Sequence, residues 1–182
     1  MDKLIYSFEI ALRHLCQVSA IHQILFLIII GAFFSFKDWK TYLLILLALC
    51  SGSLLGLSLS VFKAVSLTKA TIHLLAIISL VIVSINGIFS NRITTLHYNL
   101  FVLVGIMQGF ILSLHHKATL GTSFKFLSYL GYNLGSFSAF LLISFLSLLT
   151  CTLILTLFKT DKYKISLVLS GTGLGVALMM YF

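Results

Sequence analysis

The chain has 182 residues, of which 60% are hydrophobic and only 9% are charged. Its mean hydropathy of +1.15 is typical of a membrane-embedded bundle and excludes an ordinary soluble domain. The formal net charge is +8, but the basic residues stand singly or in pairs between apolar runs. We therefore expect them to meet phospholipid headgroups, and not nucleic acid, which requires a continuous basic face.

Residues 1–17 are predicted to form an amphipathic helix that lies on the bilayer surface. Glu9 and Arg13 stand four residues apart on its polar face. The apolar face consists of Leu4, Phe8, Ala11, Leu12 and Leu15.

Residues 18–182 are predicted to form one domain, a bundle of six transmembrane helices. None of the six apolar runs contains Asp, Glu, Lys or Arg; they cover residues 18–36, 41–62, 70–89, 98–114, 126–158 and 165–182. As straight helix, 126–158 would be about 50 Å long, beyond the ~30 Å hydrocarbon core. Its first turns must tilt, lie in the interface or form a short separate helix. The resulting fold class is all-α and multi-pass.

The flanking residues predict an interfacial anchor but no orientation. Trp39 is the only tryptophan and stands among charged residues at the end of the first run, which is typical of headgroup level. An even number of spans puts both termini on one side. Each side then carries six of the twelve basic residues, so the positive-inside rule does not orient the protein.

Small residues recur at a spacing of four in three of the predicted spans. Such stripes let helix backbones approach closely, which is how helices associate in lipid. They serve either packing within the chain or docking of another membrane subunit. The stripes are Gly52, Gly56 and Ser60, then Gly105 and Gly109, then Gly131 and Gly135. Three further glycines stand two residues apart and are interpreted as local flexibility of the last span: Gly171, Gly173 and Gly175.

Few residues can carry chemistry. Neutral amides and hydroxyls within the spans are expected to form hydrogen bonds across helices; they are Ser51, Ser53, Asn86, Gln108 and Asn133. His73 is expected at the interface, and His115-His116-Lys117 in a loop or at a helix end. The three cysteines are interpreted as packing residues: Cys16, Cys50 and Cys151. No Ser/His/Asp set can form because all four carboxylates lie outside the spans, so we expect neither an enzyme nor a cofactor.

Three segments in the first part of the chain resemble the HupE/UreJ family of small polytopic membrane proteins associated with nickel or cobalt uptake. The segments are residues 11–14 (ALRH), 22–28 (HQILFLI) and 36–40 (FKDWK). In the family they correspond to L-R-H, D-H-I-L-F-L-I and F-K-D-W-K. The resemblance is strongest over residues 5–62 and is collinear to the end. It implies a membrane-embedded helical bundle in the bacterial cytoplasmic membrane.

The chain departs from the family at the residues associated with metal. His14 is kept, but the Asp-His pair reads His22-Gln23. The fourth-span pattern Gly-x-x-His-Gly ends in Gln108-Gly109. Three other replacements are Ser53 for the histidine of Gly-His-Thr, and Phe137 and Phe140 for a Glu and a Gln. Borderline divalent ions prefer imidazole and carboxylate ligands, so no metal site is expected.

Two hypotheses remain. The favoured one is a HupE/UreJ-like bundle that no longer transports metal and serves as an accessory or structural subunit, bound to another membrane protein or to a second copy of itself. The alternative is a nickel or cobalt permease with a rearranged site made of His14, His22, Gln23 and Gln108.

Overall fold

A computed structural model describes residues 2–15, 17, 20–34, 36–89, 95–121, 126–159 and 161–182. Within these ranges the chain forms α-helices and short 3₁₀ segments, including Phe36–Asp38, and it contains no strand. The all-helical prediction is confirmed. The helices are α1 (Asp2–Leu15), α2 (Ile21–Ala32), α3 (Trp39–Val61), α4 (Lys69–Phe89), α5 (Thr95–Leu120), α6 (Phe126–Phe158) and α7 (Lys162–Tyr181).

Five helices, α3 to α7, are long and apolar enough to cross a membrane. The predicted first span gives a shorter element, because α2 has only 12 residues and as helix measures about 18 Å. Beyond Ala32 two backbone N–H groups still bond to carbonyl oxygens three residues earlier, Phe33 to Ile30 at 3.1 Å and Phe34 to Gly31 at 3.4 Å. Phe34 packs edge-on against Tyr42, with ring centroids 5.5 Å apart. Residues 18, 19 and 35 of this predicted span lie outside the described residues.

The N-terminal helix α1 packs its small and apolar face on the first half of α6. A Cβ at Gly131 would overlap the carbonyl oxygen of Leu4, and a Cβ at Gly135 that of Phe8. The contact moves four residues forward along α1 as it moves four residues forward along α6. The two helices therefore run in the same direction. Arg13 donates to Glu9 at 2.6 Å on the exposed face of α1. The location of this helix at the bilayer surface stays a prediction.

The glycines of α3 and α5 bring the backbones of these two helices together. A Cβ at Gly56 would overlap the carbonyl oxygen of Ile106, and a Cβ at Gly109 that of Ser53. The same kind of contact is made by Gly52 and Gly105. At the end of this stripe Ser60 accepts a hydrogen bond from Lys117 at 2.9 Å. Together with the α1–α6 contacts, all seven predicted stripe residues thus make contacts between helices of this chain.

A second type of close contact joins α2, α4, α6 and α7, where a glycine on one helix faces a serine on another. Gly87 of α4 lies against the hydroxyl of Ser170, and Gly173 of α7 lies against that of Ser84. The interpretation of Gly173 as local flexibility was wrong, because α7 is continuous and this glycine is a packing contact. A Cβ at Gly171 or Gly175, by contrast, would meet no atom of another helix within 4 Å.

The helices differ in how much of their surface the chain itself covers. In the most apolar 18-residue stretch of each helix, 50% of the residues are buried inside the bundle for α3 and α5, but only 28% for α6 and 22% for α7. Between α6 and α7 lies a lateral groove of about 560 Å³, lined almost entirely by apolar side chains such as Leu146 and Val168. The outer face of α6 and α7 is therefore the least covered part of the bundle.

Adding a methyl group at the α3–α5 contact should destabilise the protein. Gly56→Ala places a Cβ on the Ile106 backbone, which cannot move as a flexible side chain would, at a cost of about 1–3 kcal/mol. Gly175→Ala is the matched control, because its site is open and alanine is favoured over glycine in helices by about 1 kcal/mol. Thermal unfolding in mild detergent measures the difference. A Gly56→Ala protein as stable as Gly175→Ala would contradict the packing role.

Candidate functional site

A chain of hydrogen bonds between neutral side chains crosses the centre of the bundle. Gln23 donates to Gln108 at 3.3 Å, and Gln108 donates to Ser79 at 2.9 Å. Ser79 in turn donates to the carbonyl oxygen of Ala76 at 2.9 Å. The three side chains come from α2, α5 and α4, and each is at most 1% exposed. This amide chain joins three helices in a region where an unpaired amide would be costly.

The predicted hydrogen bonds across helices are confirmed for Gln108 but wrong for three other residues. Ser51 and Ser53 donate to carbonyl oxygens three residues earlier in α3, and Asn133 donates to Tyr129 one turn earlier in α6. Serine in particular can satisfy its polar group within its own helix in this way. These residues therefore need no partner helix.

Five histidines lie near one another and form what we call the histidine cluster: His14, His22, His73, His115 and His116. The rings of His14 and His115 are stacked, with centroids 3.6 Å apart and an angle of 12° between their planes. His22 interacts electrostatically with both His14 and His73. The cluster joins α1, α2, α4 and α5. His115 and His116 lie inside the last turns of α5, as the helix-end prediction requires.

Tyr132 of α6 fixes the proton position on one of these rings. Its hydroxyl lies 3.2 Å from His115 Nδ1 and 3.2 Å from the carbonyl oxygen of Leu112. The carbonyl can only accept, so the single hydroxyl proton goes to Leu112 and the hydroxyl accepts from Nδ1–H. His115 therefore carries its proton on Nδ1. Tyr132 also meets His116 edge-on, with ring centroids 5.1 Å apart.

Several buried polar atoms have no hydrogen-bond partner among the described residues. Five are in or beside the histidine cluster: His14 Nδ1, His22 Nε2, Gln23 Oε1, and both ring nitrogens of His116. Two more lie at the α4–α7 contact, Ser84 Oγ and Ser170 Oγ. Buried polar atoms in folded proteins almost always have partners, and ordered water commonly supplies those that the protein does not.

Burial, with a smaller contribution from the neighbouring His115 and His22, lowers the pKa of His14 from its ordinary value of 6.5 to about 4. At neutral pH the His14 ring is therefore uncharged. An uncharged ring can stack on His115 without the repulsion that two imidazolium ions would experience.

The four residues of the predicted alternative metal site come together in two pairs. His14 and His22 are electrostatic neighbours, and Gln23 and Gln108 share a hydrogen bond. Across the described ranges, however, no three side chains of His, Cys, Asp or Glu are grouped so that they could hold a metal ion. Cys50 and Cys151 are buried free thiols, and Cys16 lies outside these ranges.

At the end of the bundle opposite the histidine cluster lies a polar cavity of about 540 Å³, which we call the vestibule. It lies where α2 and α4 end and where α3, α5 and α7 begin. Lys162 pairs with Asp38 at 3.7 Å on its wall. Other polar lining residues are Thr41, Asn86, His97, Tyr98, Tyr163 and Ser166. Trp39, the predicted interfacial anchor, is at this end and is 52% exposed.

No protein-family model, no curated protein and no solved structure matches the chain. Its function must therefore be inferred from its own residues and their geometry.

Sequence reasoning missed several residues of this site. Ser79, Ser84 and Ser170 are fully buried, but a lone serine in an apolar run looks like many others. The buried face of α7 did carry a signal, since Ser166, Ser170, Gly173 and Ala177 recur every three or four residues. Tyr132 gave none.

Removing one amide should lower the free energy of unfolding more than removing both amides. Gln108→Leu leaves the Gln23 amide buried without its partner, which costs about 1–3 kcal/mol. The double variant Gln23→Leu/Gln108→Leu replaces both groups by apolar ones of similar size and should recover part of that loss. Thermal unfolding of both proteins in detergent is the measurement. Equal or additive losses would argue against a shared hydrogen bond.

Acidification should destabilise the protein through His14. Its folded pKa of about 4 lies below the ordinary 6.5, so the unfolded chain binds the proton more tightly and stability falls as the pH is lowered from 6.5 towards 4. His14→Phe keeps a ring to stack on His115 but cannot titrate. Unfolding temperatures measured across this pH range should therefore fall less for His14→Phe than for the wild type. Parallel curves would contradict the assignment.

Proposed function

We propose that the chain is a HupE/UreJ-like protein of the bacterial cytoplasmic membrane that does not transport metal and serves as a non-enzymatic accessory subunit of a membrane complex. The observation that carries the proposal is the contact between Gln23 and Gln108. These are two positions at which the resemblance implies histidines, in the first-span Asp-His pair and in Gly-x-x-His-Gly. Here the two positions meet as amides, and Gln23 Nε2 donates a hydrogen bond to Gln108 Oε1 at 3.3 Å.

The chemistry of the amide chain supports loss of metal transport. A divalent ion in the membrane requires ligands whose charge compensates its own, and no carboxylate is present in any predicted span. A side-chain amide can bind a metal only through its oxygen; Gln108 Oε1 already accepts a hydrogen bond from Gln23, and a neutral amide oxygen supplies no charge to balance that of a divalent ion. The contact that would hold an ion in the related proteins thus serves here as a link between α2 and α5.

The uneven coverage of the bundle supports a docking role. The glycine stripes are used within the chain, so a partner must bind elsewhere. The outer face of α6 and α7 is the least covered by the chain itself, and its groove would accept side chains of a neighbouring transmembrane helix. Large exposed apolar residues line this face, including Leu142, Leu146, Leu153 and Val168.

The metal permease is retained as a second candidate because the histidine cluster lies beside the amide chain. His14 and His22 belong to the alternative site, and imidazole nitrogens are ligands that a borderline ion such as nickel accepts. Against this, the two imidazoles would lack a carboxylate to balance the charge of the ion.

Restoring the ligands of the related proteins should restore metal binding. The wild-type protein should bind neither nickel nor cobalt with micromolar affinity at neutral pH. The triple variant His22→Asp/Gln23→His/Gln108→His places a carboxylate and two imidazoles at the contact, and it should bind nickel stoichiometrically. Equilibrium dialysis with elemental analysis is the measurement. Stoichiometric micromolar binding by the wild type that disappears in both His14→Ala and His22→Ala would favour the permease instead.

The docking face is tested by replacing one exposed residue at a time with tryptophan. Leu146→Trp at the α6–α7 groove should remove a partner that co-purifies stoichiometrically from native membranes in mild detergent. Leu47→Trp is the matched control, since Leu47 is exposed on α3, away from that groove. A partner that still co-purifies with both variants would contradict docking through this face. So would the absence of any stoichiometric partner of the wild type.

A further inference from the structure

Buried polar atoms without partners recur along the bundle from one end to the other. At the vestibule end, Ser166 donates to the carbonyl oxygen of Gly87 at 3.0 Å, and both residues line the cavity. Gly87 lies against Ser170 Oγ, one turn deeper in α7, and that hydroxyl is fully buried. Ser84 Oγ follows, one turn deeper in α4. Two buried hydroxyls without partners among the described residues therefore lie about one helical turn from residues that line the vestibule.

The second group of such atoms begins at the amide chain and continues through the histidine cluster. Gln23 Oε1 and His22 Nε2 are adjacent in the chain. His22 neighbours His14, which stacks on His115. His116 follows with two nitrogens that lack partners in the part of the chain that is described, although the residue is only 3% exposed. This group reaches the end of α5 that is opposite the vestibule.

One apolar layer separates the two groups. Ile29 of α2 is fully buried, and its Cδ1 lies 2.6 Å from where a Cβ on Gly173 would be, next to Ser84 Oγ. Leu80 and Val83 of α4 are also buried, at 1% and 0% exposed. Gln23 and Ile29 are six residues apart, which is about 9 Å along a helix. The layer is therefore only one to two helical turns thick.

We propose that these groups form a path through the bundle for uncharged, hydrogen-bonding molecules of the size of water or ammonia, closed in this structure at Ile29. The polar atoms along the path are hydroxyls, amides and imidazoles, which can exchange hydrogen bonds with such a molecule. The predicted spans lack the acidic and basic side chains that select ions in membrane pores. A short apolar constriction is a known way to close a pore, because water leaves it.

This path lies within one chain and needs no partner subunit. It differs from metal transport because the moving molecule is neutral and needs no carboxylate. The deep position of Ser84 and Ser170 gives these hydroxyls a role, since each would bond to a molecule that enters from the vestibule.

The test is the osmotic shrinkage of vesicles that contain the purified full-length protein, followed by light scattering. Ile29→Ala shortens the apolar side chain at the constriction and should make vesicles shrink several-fold faster than the wild type. Ile78→Ala is the matched control, because it makes the same change on an exposed part of α4, and it should leave the rate unchanged. Adding Ser170→Leu to Ile29→Ala should reverse the gain.

Val83→Ala is a second variant of the constriction, to be used if Ile29→Ala does not give a monodisperse protein by gel filtration. Potassium leak from the same vesicles shows whether the path excludes ions, and it should stay at the wild-type rate. Folded constriction variants that shrink at the wild-type rate would overturn the proposal. So would a rise that Ile78→Ala reproduces, or one accompanied by potassium leak.

Discussion

The direct contact between the backbones of α3 and α5 is the constraint on which the rest of the bundle depends. Without side chains at Gly56 and Gly109, each backbone reaches the carbonyl oxygens of the other helix, and lipid offers no hydrophobic force that could replace this contact. The rotation of α5 is thereby set, so that Gln108 points towards α2 and α4. The amide chain is a consequence of that rotation, and so is the place of His115 beside His14.

Much of the fold could be predicted from hydrophobic periodicity, because lipid permits few alternatives to helices. The predicted second to sixth runs correspond to α3 to α7. The short α2 could not be predicted, since its end at Ala32 is set by where Phe34 packs on Tyr42 and not by a proline or a charge. The glycine stripes of α3 and α5 were visible in the sequence because the glycines of each stripe lie four residues apart on the same helix. Glycine facing serine on another helix, as at Gly87 and Ser170, leaves only a mixed pattern of small residues, such as Ser166, Ser170, Gly173 and Ala177 of α7.

The site was predictable only in part, for the same reason. The resemblance singled out His14, His22, Gln23 and Gln108, and the structure brings them together in pairs. It could not indicate that His73, on α4, would join them, because the rotation of a helix depends on packing against several neighbours. Ser51 and Ser53 show the opposite error: a polar residue in a span suggests a cross-helix bond, although its own backbone can satisfy it.

The pairing of α1 with α6 has a consequence for biosynthesis. Leu4 meets Gly131, so the first helix finds its partner only after 127 more residues (131 − 4) have been made, which takes on the order of ten seconds at ordinary rates of translation. During that time α3 also waits for α5. The nascent chain must therefore keep its early helices beside the translocation machinery, or another membrane protein must shield them, until the later helices are released.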